Sequence, residues 1–108
     1  MGLRVFLDDE RKTPEGWTRT FNVLQTIEML KTRNVSELSL DNDLGSDDEE
    51  GYDVLTWLEE QIAEDVSFPL PLIHLHTANA SRRQDMQRAI ESIHRIRQKQ
   101  LEEQDETV

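Results

Sequence analysis

Two aspartates stand side by side at Asp8-Asp9, and two more flank an asparagine at Asp41 and Asp43. Each pair closes a short apolar run, Leu3-Arg4-Val5-Phe6-Leu7 and Ser36-Glu37-Leu38-Ser39-Leu40. Carboxylates gathered in one place repel one another, which costs stability and raises their pKa values, and a divalent cation relieves that cost. With oxygen ligands and no cysteine in the chain, the fitting ions are Mg²⁺, Mn²⁺ or Ca²⁺. An ion held by one or two carboxylates keeps waters and recruits a phosphoryl oxygen, which suits phosphoryl transfer or phosphoester hydrolysis. Asp8, Asp9, Asp41 and Asp43 are therefore the candidate metal ligands. Each alone also fits a strand exit or a helix cap. Two strand ends rich in aspartate point instead to a shared site.

A third apolar run, Leu72-Ile73-His74-Leu75-His76-Thr77, opens into Ala78-Asn79-Ala80-Ser81. His76 lies at its exit and is the candidate general acid or base, because an imidazole titrates near neutrality. His74, two residues deeper, reads as structural, and His94 as a surface residue within a helix. Thr77, Asn79 and the backbone N–H groups opening the last helix form a candidate phosphate seat, since helix N-termini bind anions. Arg82 and Arg83 in that first turn oppose the helix dipole. A bound anion would explain them, so both join the candidate phosphate-binding set. Asp41 and Asp43 complete the candidate catalytic group. Trp17 and Trp57 read as packing residues. Asp41 to Ser46 lacks the alternating ligands and terminal glutamate of an EF-hand, and that reading is rejected.

These side chains need elements to bring them together. The three apolar runs, residues 3–7, 36–41 and 72–77, read as buried strands, and 18–21 as a short edge strand. Pro14 and Gly16 mark a loop before it. Asn22 is placed to cap a helix, with Gln25 completing a capping box. Val23, Leu24, Ile27 and Leu30 give that helix its apolar spacing to about Arg33, and Asn34 is expected to end it. Val54, Leu55, Leu58 and Ile62 mark a second helix, and Pro69 and Pro71 a linker. Met86, Ala89, Ile90 and Ile93 mark a third, capped by Asn79 or Ser81 and expected to run through Gln100. Alternating strands and helices imply parallel strands with right-handed crossovers. In such sheets the functional crevice lies beyond the carboxyl ends of the strands. That topology delivers the polar clusters to one rim.

The chain has 108 residues, 35% hydrophobic and 32% charged, with a net charge of −11. That is the size of one domain. The reading is a domain over residues 1–100 and an acidic tail over 101–108. The net charge disfavours general duplex DNA binding. No apolar stretch reaches membrane-spanning length. The N-terminus is too short for a signal peptide and lacks the myristoylation pattern, and the absence of cysteine fits a cytoplasmic location. Asp47-Asp48-Glu49-Glu50 reads as a solvated loop. Arg82, Arg83, Arg88, Arg95, Arg97 and Lys99 form a basic counter-region.

The assembled motifs resemble a response-regulator receiver domain. They are more closely similar to a divergent branch, the cyclic-phosphate processing receiver domain. The fragments that carry this are Leu7-Asp8-Asp9-Glu10-Arg11, Thr13-Pro14-Glu15-Gly16-Trp17, Ser39-Leu40-Asp41-Asn42-Asp43-Leu44-Gly45, Gly51-Tyr52-Asp53-Val54-Leu55 and His74-Leu75-His76-Thr77-Ala78-Asn79. The resemblance implies a small three-layer, flavodoxin-like α/β fold with a parallel sheet, trimmed of the usual first helix and fifth strand. It implies a metal-binding acidic site and processing of cyclic phosphates, such as 2′,3′-cyclic ends of RNA or related nucleotides. It places Asp41 where receivers accept phosphate. No residue matches the receiver's switch lysine, whereas Asp43 and His76 are additions, which points to hydrolysis rather than signalling. The expected function is thus a phosphoesterase using Mg²⁺ or Mn²⁺ on a cyclic or terminal phosphate of a nucleotide or RNA end, and the expected partner is a phosphate-bearing small molecule or RNA end. The alternative is a non-catalytic receiver-like binding or signalling module. A homodimer through the last helix is a further expectation.

Overall fold

The apolar runs separate into strands and the 3.6-residue patterns into helices in a computed structural model that describes residues 2–45 and 48–106, with side chains to residue 104. Ser46 and Asp47 of the acidic stretch, Met1, and Thr107 and Val108 of the tail lie outside the described residues. The elements are β1 (Leu3–Leu7), β2 (Thr18–Thr20), α1 (Val23–Lys31), β3 (Val35–Leu40), α2 (Gly51–Glu64), β4 (Leu72–Leu75) and α3 (Ala80–Glu106). The four strands are parallel in the order β2-β1-β3-β4. Leu7, Leu40 and Leu75 lie in register, so the strands finish level with one another. Among the described residues there is no helix between β1 and β2 and no fifth strand, and the fold is the trimmed receiver-like α/β arrangement.

One face of the sheet carries the core. Val5, Leu7, Leu38 and Leu40 project into a cluster with Leu30, Val54, Leu55, Leu58, Ile62, Met86 and Ile93 from the helices. Each such side chain contributes on the order of 1.5–3 kcal/mol by leaving water. The alternate strand residues face the other way, where no helix of the described residues covers them. Phe6 is buried there outside the main cluster. Trp17 lies edge-on to Phe6 at 6.3 Å and to His74 at 6.1 Å, with the Arg4 guanidinium over its ring. The third layer implied by the resemblance is thus reduced to this loop. That explains a correction: β4 is not a fully buried strand, and the His74 side chain is 44% exposed, paired with Glu37 at 3.0 Å.

The helix ends follow side-chain chemistry. Asn22 caps α1 by accepting from Gln25 N at 2.9 Å, and Gln25 returns a bond to Phe21 N at 2.8 Å. The helix ends at Lys31, two residues short of Arg33, and Arg33 rather than Asn34 adopts the left-handed conformation (φ 62°). Asn79, not Ser81, caps α3, its Oδ1 accepting from Arg82 N at 3.1 Å. That helix continues beyond Gln100 to Glu106. Gln100 donates to Ile62 O and Arg97 to Phe68 O, which fastens this polar stretch to the end of α2 and the turn after it. Trp57 packs edge-on against Phe68 at 5.9 Å.

Candidate metal centre

Hydrogen bonds between neighbouring strand exits assemble the rim. Asp8 N donates to Thr20 O, Asp41 N to Leu7 O and His76 N to Leu40 O, at 3.2, 3.0 and 3.0 Å. The first residue after each core strand is therefore tied to the strand beside it. One carboxylate oxygen from each of Asp8, Asp9 and Asp41 falls within 4.8 Å of the others. Mg²⁺ binds oxygen at about 2.0–2.1 Å, so opposed ligands stand about 4.1 Å apart. A spread of no more than 4.8 Å is close to that span, and rotation of the half-buried Asp9 carboxylate can fit the triplet to a hard divalent ion. Asp8 and Asp41 are buried and Asp9 is half-buried, so the site joins a fixed floor to an adjustable ligand.

Asp8 is the most constrained of the three. Its Oδ1 accepts from the backbone N–H of Glu10 and of Arg11, both at 2.8 Å. Its Oδ2 faces His76 Nε2 at 3.1 Å and Arg11 Nη1 at 3.4 Å. Burial pushes the Asp8 carboxyl up, but the two N–H donors and His76 together outweigh it, and the net shift is downward. Asp8 is an anion at neutral pH, as a metal ligand must be.

His76 is held from both sides. Nδ1 lies 2.7 Å from Ser39 Oγ, Nε2 meets Asp8, and the ring stacks on Phe6 at 4.2 Å and 5°. Burial lowers its pKa, and the opposing pull of Asp8 does not restore it. A carboxylate only accepts, so a neutral His76 carries its proton on Nε2 and takes the Ser39 hydroxyl proton's bond at Nδ1. Arg11 Nη1 also donates to His76 O.

A cavity of about 290 Å³ opens on this rim, lined by Asp9, Arg11, Asp41, Asp43, Gly45 and Ala78 among others. Asp43 lines it without joining the triplet. Its Oδ1 receives Asn42 Nδ2 at 3.3 Å and Asn79 Nδ2 at 3.4 Å. Thr77 is buried beneath, its Oγ1 accepting from Asn79 N at 3.1 Å. The two arginines are engaged elsewhere. Arg82 binds Glu50 at 2.5 Å and Asp85 at 2.9 Å and lies over Tyr52, while Arg83 donates to Thr77 O at 2.7 Å. Ion pairing with Glu50 raises the Arg82 pKa, and the same pair lowers that of Glu50. Their place in the first turn of α3 is thus explained by partners within the chain, without any anion.

Several residues without a sequence-level role complete the site. Arg11 supplies the cavity with a cation, and its adjacency to Asp8-Asp9-Glu10 was the available signal. Asn42 is fully buried and links Asp43, Glu50 Oε1 and Tyr52 N. Gly45 has φ +74°, and a Cβ there would stand 2.8 Å from Asp9 Oδ2. At Gly51 a Cβ would fall 1.8 Å from Asp41 O, so only glycine lets α2 begin against the exit of β3.

A family model described as "Cyclic-phosphate processing Receiver domain" matches residues 3–92. No curated protein and no solved structure matches the chain.

Proposed function

Because the chain belongs to the cyclic-phosphate processing receiver domain family, we propose that it is a metal-dependent phosphoesterase. Its substrate would be a cyclic or terminal phosphate on a nucleotide or RNA end. The observation that carries this is the Asp8, Asp9 and Asp41 triplet within 4.8 Å, beside an open cavity. The triplet would hold Mg²⁺ or Mn²⁺. Such an ion, when bound, supplies Lewis-acid stabilisation of phosphoryl charge and a more acidic water.

The chain's own groups do the rest. Arg11 faces the phosphate across the cavity and offsets part of its charge. Asp43, exposed and steadied by Asn42 and Asn79, accepts the proton of the attacking water. A new P–O bond would form from that water, one ribose P–O bond would break, and the leaving ribose oxygen would take the proton that Asp43 received. Thr77 and Asn79 hold the outer wall. His76 acts by fixing Asp8 rather than by exchanging protons with substrate, since both its ring nitrogens are already bonded. Asp41 would act here as a metal ligand, and as a phosphoryl acceptor only in the signalling reading below.

The test is incubation with 2′,3′-cyclic nucleotides and Mg²⁺ or Mn²⁺. Conversion to a nucleoside monophosphate is expected, abolished by chelator and reduced at least ~10²-fold in Asp41→Asn, the scale of losing a group that acts in the transition state. No metal-dependent turnover of any cyclic or terminal phosphate removes the enzyme reading.

One observation favours a second reading, a non-catalytic receiver-like module: the only histidine on the rim among the described residues has no nitrogen free for substrate. Treatment with acetyl phosphate followed by intact-mass measurement separates the two. A stable phosphoryl adduct on Asp41 supports signalling.

A further inference from the structure

Strand β2 is an edge of the sheet, with α1 packed against it. A groove of about 510 Å³ runs between them, lined by Arg19, Phe21, Leu24, Gln25 and Met29 among others. It is more apolar than the acidic cavity, and two of its walls face water: Phe21 is 50% exposed and Leu24 65%. The Arg19 guanidinium lies 5.0 Å from the centre of the Phe21 ring. Its Nε and Nη2 are buried and have no hydrogen-bond partner. These two nitrogens form one side of the guanidinium fork, which is shaped to meet a pair of adjacent acceptors.

The groove adjoins the acidic rim. Thr20 O accepts the Asp8 N–H at 3.2 Å, and Phe21 is the next residue. Neighbouring strand backbones stand about 4.8 Å apart, so the backbones of Phe21 and Asp8 are separated by less than the length of a nucleoside. Glu49 Oε1 accepts from Val23 N at 3.1 Å, which ties the loop after Asp43 to the start of α1.

We propose that this groove seats the base of the nucleotide whose phosphate lies at the aspartate triplet. The inference rests on the phosphoesterase reading and adds to it a seat for the base. A base stacks on the exposed Phe21 ring, as bases do on aromatic platforms. The Arg19 fork meets the edge of the base only after the guanidinium turns away from the Phe21 ring that now covers it; turned outward, it matches guanine best, with O6 and N7 side by side. An acidic peptide would also satisfy Arg19. However, its carboxylates would lie against Glu28, which also lines the groove, whereas the base itself brings no charge there.

The experiment is a ¹H–¹⁵N NMR titration of the protein with Mg²⁺, using 2′,3′-cyclic GMP and, separately, glycerol 1,2-cyclic phosphate. The nucleotide is expected to move the amide signals of Arg19, Phe21 and Leu24 as well as those of Asp9 and Asp41. The glycerol ester is expected to move only the latter. Phe21→Ala should weaken nucleotide affinity roughly tenfold, the scale of one lost base–aromatic stack, and leave the ester unaffected. Arg19→Met repeats the comparison with the ring intact. A silent groove, equal affinity for the two ligands, or variants without effect overturns the base seat, even where turnover is observed. Groove shifts with the nucleotide but no turnover would sustain the base seat and sink the phosphoesterase reading instead. Groove shifts with an acidic peptide and none with the nucleotide overturn it in favour of a protein partner.

Discussion

The imidazole of His76 joins a hydroxyl and a carboxylate that come from two other strands. Ser39 on β3 and Asp8 after β1 hold its two nitrogens, and Phe6 holds its face. Partners of this kind orient a ligating carboxylate, and losing one typically weakens metal binding 10–100-fold. His76→Ala should therefore lower Mn²⁺ affinity, measured by titration calorimetry, by roughly 10–100-fold. His76→Gln, which can still donate near the Nε2 position, should recover part of the loss. Wild-type affinity in His76→Ala would show that Asp8 needs no such support. The same logic reassigns Arg82 and Arg83. Side chains that looked available to a phosphate are committed to Glu50, Asp85 and the Thr77 carbonyl.

One contact between element ends on the helical face is an ion pair with a clear pH signature. Arg33, just past α1, binds Asp65 at the end of α2 at 2.5 Å and lies over Phe68 at 5.0 Å. Asp65 Oδ1 also receives Ser67 Oγ and N, at 2.7 and 2.9 Å. Those Ser67 bonds and Arg33 lower the Asp65 carboxyl from 3.8 to about 2. A carboxyl more acidic folded than unfolded stabilises the fold above its unfolded pKa and loses that contribution as pH falls to its folded pKa. Asp65→Asn should thus have a lower urea midpoint than the wild type at pH 7. The gap should narrow between about pH 4 and pH 2. A gap independent of pH would mean that Asp65 acts through shape, not charge. The pair is exposed, so the effect at neutral pH is expected to be small.

At the scale of the molecule, the acidic rim was legible because it follows from topology. Apolar runs that stop at Asp8 and Asp41 must, in a parallel sheet, stop at the same edge. The helix registers of α1 and α2 were legible from Leu30, Val54, Leu58 and Ile62 for the same periodic reason. What the sequence hid depends on contacts across strands. Ser39 gave no sign of meeting His76, and Asn42 none of tying the loop to Glu50 and Tyr52. The length of α3 was hidden because its last turns are polar, fastened by Arg97 and Gln100 instead of by apolar side chains. The absence of covering helices leaves no mark on the sequence of β4, whose apolar residues suit a buried strand although none of them is buried.

That open face puts Trp17 in contact with Phe6, Phe6 against His76, and His76 against Asp8. An indole at the protein's bare side is thus wired by touch to the floor of the acidic mouth. In a Trp57→Phe background its fluorescence becomes a gauge of occupancy. Adding Mg²⁺ should shift or dim that emission in a saturable way, and Asp41→Asn should silence the response. Light alone would then report when the mouth is filled, with no need to know what it consumes.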